Sequence, residues 1–368
     1  MSPPWLTKLS FIVCVTQLAG MSSAKEICDP LGSFRSSMTL EGDAASSKRR
    51  ISLNMSEDRE TERALVLSLQ TLGSFGDSLG RVTTSGAVVP LLPFVKDVAV
   101  KYLSHPTSDV RRAAALTCCI LLVPDGVEQR TSFSGVVIEE CLRELLRVAV
   151  SDPVAVVRLC VVRALDSRYD RFLCQSHHLQ SLFLLLSDEA LATRAAGLQL
   201  LGRLTVINPA LILPVLRRFL VDLIVELQCG VDTGRGREEA TRLLVVFLRA
   251  KSLQRLIHPV LHSIVGALPL NGSAPAPRLA SAALEALGEL ALATGPDLKP
   301  AVKDVVPHII ESMNDQSSTS KQRTSLMTLG QIAGSTGYVI RPYIDYPNLL
   351  SEATDVLPGT KRAPWSLV

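Results

Sequence analysis

The sequence predicts an all-α fold, an α-solenoid of antiparallel helix pairs. Of the 368 residues, 47% are hydrophobic but only 4% aromatic, which favours helix-on-helix packing over a sheet sandwich. Apolar residues recur at helical spacing, and short turns containing Pro, Asp or Ser separate the helical runs. The same run–turn–run pattern returns along the chain. No single helix can bury its apolar stripe alone, so each requires a neighbour.

The clearest helices lie in the middle of the chain. Leu179–Leu186 is an apolar run, and the spacing of apolar residues predicts a helix over Ala190–Thr205. Asn208-Pro209 ends that helix, because the residue before proline is pushed out of the α region and proline suits a first helical turn. The next helix, Ala210–Gln228, is predicted to bury one face, made of Leu213, Leu216, Leu220, Leu223, Ile224 and Leu227.

The first sixty residues lack this pattern. We predict a disordered leader over residues 1–60, because Lys25–Glu60 is rich in Ser, Arg and Asp and has no helical periodicity. For Met1–Ala24, where Lys8 precedes an apolar run, a signal peptide is the alternative. Order is expected to begin near Thr61.

The last residues also depart from the pattern. We predict an irregular tail over 351–368, because Pro358, Gly359 and Pro364 prevent a long helix. The ordered array is then expected over residues 61–350. It would stop without a polar capping helix, which indicates a truncated array.

An arginine just inside the second helix of each pair marks the repeat. The spacing between successive arginines drifts around the roughly 40–47 residues of HEAT and armadillo repeats, and about six repeats fit the ordered region. Before the arginine, an Asp or Ser of the turn, such as Asp152 or Asp188, is expected to accept from the free N–H groups of the second helix. Val110 and Val157 are predicted to point into the shared core. The marking arginines are Arg111, Arg158, Arg194, Arg237, Arg278 and Arg323.

Charge, hydropathy and cysteine usage exclude several classes. With 38 Lys and Arg against 35 Asp and Glu, the near balance predicts a solvated face of mixed charge, and we expect no nucleic-acid partner. No run reaches the roughly 20 apolar residues of a membrane span. The eight cysteines form no C-x-x-C and lie mostly in apolar runs, so we expect reduced, buried thiols in a cytoplasmic protein; paired disulfides are the alternative.

We find no candidate catalytic, cofactor or metal site. Phosphoryl transfer needs a lysine on a strand and a metal-binding aspartate, and no strand is predicted. The glycine-rich segment Gly230–Gly236 lacks the spacing and lysine of a P-loop and is expected to be a connecting loop. His258 and His262 share a helix face but have no third ligand nearby. We expect His177 and His178 to be loop or cap residues that cannot face the same way.

Several runs resemble the target-of-rapamycin (TOR) kinase family. They include LQTLGSF (Leu69–Phe75), LDSRYDRFL (Leu165–Leu173), LGRLTVINPALILPVLRRFL (Leu201–Leu220) and KQRTSLMTLGQIAGSTGYVIRPYIDYPNLL (Lys321–Leu350). The resemblance covers roughly residues 61–350 and points to the N-terminal HEAT array of that family. Because the kinase region has no counterpart in the resemblance, we expect no catalysis from this chain, although the family consists of ATP-dependent serine/threonine kinases.

The resemblance implies a scaffold that binds Raptor- or Rictor-type companion subunits and a second TOR copy, acting in the cytoplasm, at endomembranes or in the nucleus. The alternative is an importin-like adaptor array that binds extended peptides, although the Asn and Trp ladder of such arrays is absent. In a helical array, binding faces are the ridge of second helices and the loops between repeats. The surface candidates are Arg217, Arg218, Arg235, Arg237, Glu238, Glu239, Arg341 and Tyr343.

Overall fold

A computed structural model describes residues 59–74, 95–122, 132–229, 234–270, 277–315 and 318–337. Every regular element in these ranges is helical, so the all-α prediction is confirmed. The α-helices in chain order are α1 (59–74), α2 (Ser108–Leu121), α3 (Ser132–Ser151), α4 (Ala155–Ala164), α5 (Asp170–Leu173), α6 (Ser176–Leu184), α7 (Leu191–Leu204), α8 (Pro209–Cys229), α9 (Gly234–Arg249), α10 (Gln254–Ile257), α11 (Leu261–Ala267), α12 (Pro277–Thr294), α13 (Lys299–Asn314) and α14 (Thr319–Thr336).

Short helical turns join these helices. A π-helical turn (Val95–Ala99) leads into a 3₁₀ helix (Val100–Ser104) before α2. Further 3₁₀ turns are Ser167–Tyr169, Leu185–Ser187, Lys251–Leu253, His258–Val260 and Gly295–Leu298. Apart from residues 59 and 60, the predicted leader lies outside the described residues, as does the predicted tail.

The chain forms two compact bodies, divided between Leu185 and Leu186. In the first body, α3 packs on α4 within a pair, α2 packs on α4 of the next pair, and α3 packs on α6. In the second body, α8 packs on α9 and α13 on α14 within pairs, while α7, α9, α12 and α14 pack each on the next. Within each body, a helix thus contacts its partner and the equivalent helix one repeat later, as predicted for a HEAT-type array.

The buried face of α8 shows how the sequence pattern becomes a core. Five of the six predicted residues are buried, Leu216, Leu220, Leu223, Ile224 and Leu227, whereas Leu213 is only half-buried. Ile212 takes its place and is fully buried. The correction follows from helix geometry, because Ile212 lies one turn before Leu216 and continues the same i, i+4 row.

Three of the marking arginines bind the turn six residues before them. The Nη1 of Arg111 donates to the carbonyl of His105 at 2.9 Å, that of Arg158 to Asp152 at 2.7 Å, and that of Arg194 to Asp188 at 2.8 Å. In the last described pair, Lys321 Nζ lies 2.8 Å from the Asp315 carboxylate. A side chain inside the second helix therefore fixes the path by which the chain enters that helix.

The expectation that an Asp or Ser of the turn caps the second helix is confirmed at Ser318, whose hydroxyl accepts from the Lys321 N–H. It is wrong for Asp152 and Asp188. Asp152 accepts from the Val154 N–H and Asp188 from the Ala190 N–H, both at 2.8 Å. Val154 and Ala190 are themselves the N-cap residues, and neither makes a side-chain cap bond. An aspartate two residues before the cap closes a local turn of its own, which competes with capping.

Several other predicted burials are confirmed. Val110 and Val157 are buried beside their arginines, and Cys118 and Cys119 are buried in α2. Burial raises the pKa of Cys118 well above its ordinary value and that of Cys119 to about 12, so both thiols stay protonated and unreactive near neutral pH. Within the described residues, no helix is both long and apolar enough to cross a membrane.

Candidate protein-interaction surface

Buried polar contacts hold neighbouring repeats of the first body together. Arg111 Nε lies 2.6 Å from Asp152 Oδ2, and its Nη2 lies 2.9 Å from Oδ1, across 41 residues of sequence. Both side chains are buried. Burial alone would raise the pKa of Asp152, but bonds from Arg111 and the Val154 N–H, with the charges of Arg111 and Arg158, hold it below its ordinary value. The pair therefore stays charged.

Hydroxyl groups make further contacts one repeat away. The Tyr169 hydroxyl bonds to the carbonyls of Cys119 and Leu122 at the end of α2, the latter at 2.6 Å. Thr117 donates to the Leu69 carbonyl at 2.7 Å, and in the second body Thr328 donates to the Leu284 carbonyl at 2.8 Å. These contacts span 44 to 50 residues. These sequence separations match the repeat length predicted from the spacing of the arginines.

A charged cluster joins α7 to α9 in the second body. Arg194 Nη2 lies 2.6 Å from the Glu239 carboxylate, and Arg235 Nε lies 3.0 Å from its other oxygen. Bonds from Arg194 and then Arg235 lower the pKa of Glu239. Glu239 thus connects two repeats, which is a structural role that its sequence position alone did not indicate.

The outer face of α8 carries apolar residues that no described helix covers. Leu211, Val221 and Val225 are 47%, 47% and 49% exposed, and Pro214 is also exposed. Together with Arg218 they follow the alternating three- and four-residue spacing of a helix-packing seam. Arg217, Asp222 and Glu226 flank the row and are exposed. We name Leu211, Pro214, Arg218, Val221 and Val225 the α8 outer row.

The structure separates the predicted surface residues into two sets. Arg217 and Arg218 are exposed on α8, next to the outer row. Arg235, Arg237, Glu238 and Glu239 lie in the first turns of α9, where Glu238 pairs with Arg242 at 2.7 Å. No ion pair or hydrogen bond links the two sets within the described residues. Arg341 and Tyr343 lie outside those residues.

The other segments considered for chemistry form local structure. Residues 230–233 lie outside the described residues, and Gly234 to Arg237 form the first turn of α9. His258 is half-exposed, with Nδ1 3.0 Å from Asp297. The expectation that His177 and His178 are loop or cap residues is wrong, because both lie in the first turn of α6. Their ring centres are 4.0 Å apart, with His177 half-exposed and His178 buried.

Comparison with known proteins identifies relatives along most of the chain. Over 269 residues it is 35% identical to the serine/threonine-protein kinase TOR2 of Saccharomyces cerevisiae, a match that covers 73% of this chain. Over 307 residues it is 31% identical to tor1 of Schizosaccharomyces pombe, and over 321 residues 32% identical to TOR of Arabidopsis thaliana, each covering 83% of this chain. The chain is homologous to a segment of the TOR kinases.

The matched segment is a small part of these TOR relatives. The chain spans 11% of the budding-yeast protein, 13% of the fission-yeast protein and 12% of the plant protein. No protein-family model matches the chain. Among solved structures, the karyopherin Kap121p bound to the SUMO protease Ulp1p superposes with a TM-score of 0.44 at 13% identity, covering 82% of this chain and 36% of that chain.

Sequence reasoning missed the α8 outer row. A signal was present, because the positions 211, 214, 218, 221 and 225 alternate spacings of three and four. The sequence interpretation placed the apolar residues of this helix on a single buried face and did not identify the second, narrower row. Its outward direction became clear only once the position of α9 was known.

Proposed function

We propose that this chain is a non-catalytic scaffold segment of a TOR-like protein and that it binds protein partners through the α8 outer row. The homology to TOR kinases supports the first part. The α8 outer row is the single observation that carries the second, because it combines exposed apolar side chains with Arg218 within the row and Arg217 at its edge.

The repeat junctions suit a scaffold. Ion pairs between long, ordered side chains join successive repeats. They are Arg111–Asp152 in the first body and Arg194–Glu239 in the second. A binding face keeps its affinity only when the helices that carry it keep their relative positions, since ordering them on binding costs free energy. Rigid junctions reduce that cost.

By the resemblance, the partners are Raptor- or Rictor-type companion subunits and a second TOR copy. The outer row, with Arg218 among its apolar members, would fill the centre of such an interface, and Arg217, Asp222 and Glu226 would form its polar rim. The proposal includes a cytoplasmic location, with endomembranes and the nucleus as further places where such a complex acts.

The absence of catalysis is also part of the proposal. The relatives are serine/threonine kinases, but this chain aligns with a share of 11% to 13% of their length. Its described residues are helices and turns, whereas phosphoryl transfer needs a lysine on a strand and aspartates that hold magnesium. We expect no binding of ATP–Mg²⁺ by the purified chain.

Binding of the full chain to purified Raptor- and Rictor-type subunits tests the proposal. We expect wild-type binding by biolayer interferometry and at least a tenfold weaker Kd for the double variant Val221→Glu/Val225→Glu, which is about 1.4 kcal/mol. Val156→Glu is the control, because Val156 is also an exposed helical valine, at 57% exposure, and lies in the other body. Its Kd should stay within twofold.

Two outcomes would overturn the proposal. One is that neither subunit, nor a second copy of the chain, binds the wild-type protein. The other is that the α8 double variant binds as tightly as Val156→Glu. Circular dichroism of all variants establishes that each change in Kd comes from a folded protein.

A further inference from the structure

Three metal-ligating side chains from two helices converge in the first body. Glu139 lies in α3, and His177 and His178 lie in the first turn of α6, which packs on α3. One ligand atom from each residue lies within 4.8 Å of the other two. Glu139 Oε1 and His177 Nε2 are already 3.2 Å apart.

His178 supplies an independent observation. The residue is 2% exposed, and its Nε2 is buried without a hydrogen-bond partner within the described residues. A buried polar nitrogen without a partner costs about 1–3 kcal/mol, which a bound ligand would offset. An imidazole nitrogen is also a ligand that transition-metal ions of the Zn²⁺ class commonly take.

We propose that Glu139, His177 and His178 form a binding site for a divalent transition-metal ion of the Zn²⁺ class, which ties α3 to α6. Two imidazole nitrogens and one carboxylate oxygen suit Zn²⁺, which takes mixed N and O ligands in tetrahedral geometry. Ca²⁺ and Mg²⁺ prefer oxygen ligands, so the two histidines disfavour both. Three protein ligands leave the fourth position for water or for a donor from another molecule.

The geometry needs only small side-chain movements. Zn²⁺ ligands at 2.0–2.1 Å lie about 3.4 Å from one another in a tetrahedron. Glu139 Oε1 and His177 Nε2 are already within that distance of each other. The ligand atom of His178 lies at most 4.8 Å from the ligand atoms of the other two residues. His177 and Glu139 are half-exposed, so their torsions can close this gap without moving the backbone.

Two nearby features oppose a cation and limit its affinity. Arg143 lies one turn after Glu139 on α3 and is exposed, where solvent screens its charge. The histidines also lie at the positive end of α6. Coordination bonds outweigh such partial charges, so we expect a Kd of about 1 µM.

Titration of the full chain with ZnCl₂ after removal of bound metal tests the site. We expect one Zn²⁺ to bind by isothermal titration calorimetry and to slow hydrogen exchange in α3 and α6 but not in α12 and α14. Because His178 is buried, substituting it could unfold the chain, so the diagnostic variants are His177→Gln and Glu139→Gln. Each should weaken Zn²⁺ binding at least tenfold.

His258→Gln is the matched control, because His258 is also half-exposed and also pairs with a carboxylate, Asp297. It should bind Zn²⁺ as the wild type does. The proposal is overturned if the wild type binds no Zn²⁺, if His177→Gln and Glu139→Gln keep wild-type affinity, or if His258→Gln loses as much affinity as they do.

Discussion

The guanidinium of Arg111 binds the carboxylate of Asp152 through two hydrogen bonds, at 2.6 Å and 2.9 Å, although 41 residues separate them. The same guanidinium donates to the carbonyls of His105 and Pro106 in its own turn. One side chain therefore fixes the entry to its own helix and the position of the next repeat. Arg194 repeats this arrangement with Asp188 and Glu239 in the second body.

Acid should weaken the first body through Asp152. The pKa of Asp152 is lower in the folded chain than its ordinary value of 3.8, so its stabilising effect is complete above that value and is lost as pH falls through the lowered folded value. We expect the urea midpoint of the wild type to fall with pH below about 4. Asp152→Asn should lower the midpoint at pH 7 and flatten this acid dependence.

Asp222→Asn is the control for that experiment, because Asp222 is an exposed carboxylate on α8. It should leave the wild-type profile unchanged. If the urea midpoint of Asp152→Asn falls with pH in parallel with that of the wild type, Asp152 is not the source of the acid dependence.

Loss of the Tyr169 hydroxyl should destabilise the end of α2. Tyr169 is fully buried, and its hydroxyl is the bond partner of the carbonyls of Cys119 and Leu122. Tyr169→Phe leaves these buried carbonyls without that partner, so we expect a loss of about 1–3 kcal/mol in the opening free energy of α2, measured by hydrogen exchange. Ser74→Ala, which removes an exposed hydroxyl bond to the Gln70 carbonyl, should cost less than about 0.5 kcal/mol. Equal effects would contradict the assignment.

Two helical glycines should respond in opposite directions. A Cβ at Gly202 in α7 would lie 3.3 Å from the Ala250 Cβ, so Gly202→Val overpacks a buried contact and should cost about 1–3 kcal/mol. A Cβ at Gly330 in α14 would meet nothing within 4 Å. Gly330→Ala should therefore stabilise α14 by about 0.5–1 kcal/mol, because glycine is the poorer helix former. Urea denaturation of both variants checks the signs, and stabilisation by Gly202→Val would contradict the close approach.

Local periodicity was enough to predict the helices but not which neighbours they meet. The helix predicted over Ala210–Gln228 is found over Pro209–Cys229, since proline and apolar spacing act within one or two turns. The exchange of Leu213 for Ile212 in the core depended on the rotation of α8 against its neighbours. Rotation is a packing property, and periodicity defines it only to within about one residue.

Contacts between residues of different repeats could not be predicted from the sequence. Glu139 precedes His177 by 38 positions and has no local signature of a ligand; it lies beside the two histidines only because α3 packs on α6. Glu239 was predicted as a surface residue that binds partners, but its carboxylate forms ion pairs with Arg194 and Arg235. In repeat arrays such contacts depend on how neighbouring repeats stack. The spacing of the arginines varies by several residues from repeat to repeat, so it does not define which residues of neighbouring repeats meet.

A double-mutant cycle between Arg111 and Asp152 tests the central claim, that buried contacts one repeat apart join successive helix pairs. Repeat arrays often unfold in parts, so the measured quantity is the local opening free energy of α2 and α4 from hydrogen exchange of the wild type, Arg111→Ala, Asp152→Ala and the double variant. We predict a coupling free energy of about 2 kcal/mol between the two substitutions. Additivity within about 0.5 kcal/mol would contradict the claim, because the two residues would then be energetically independent.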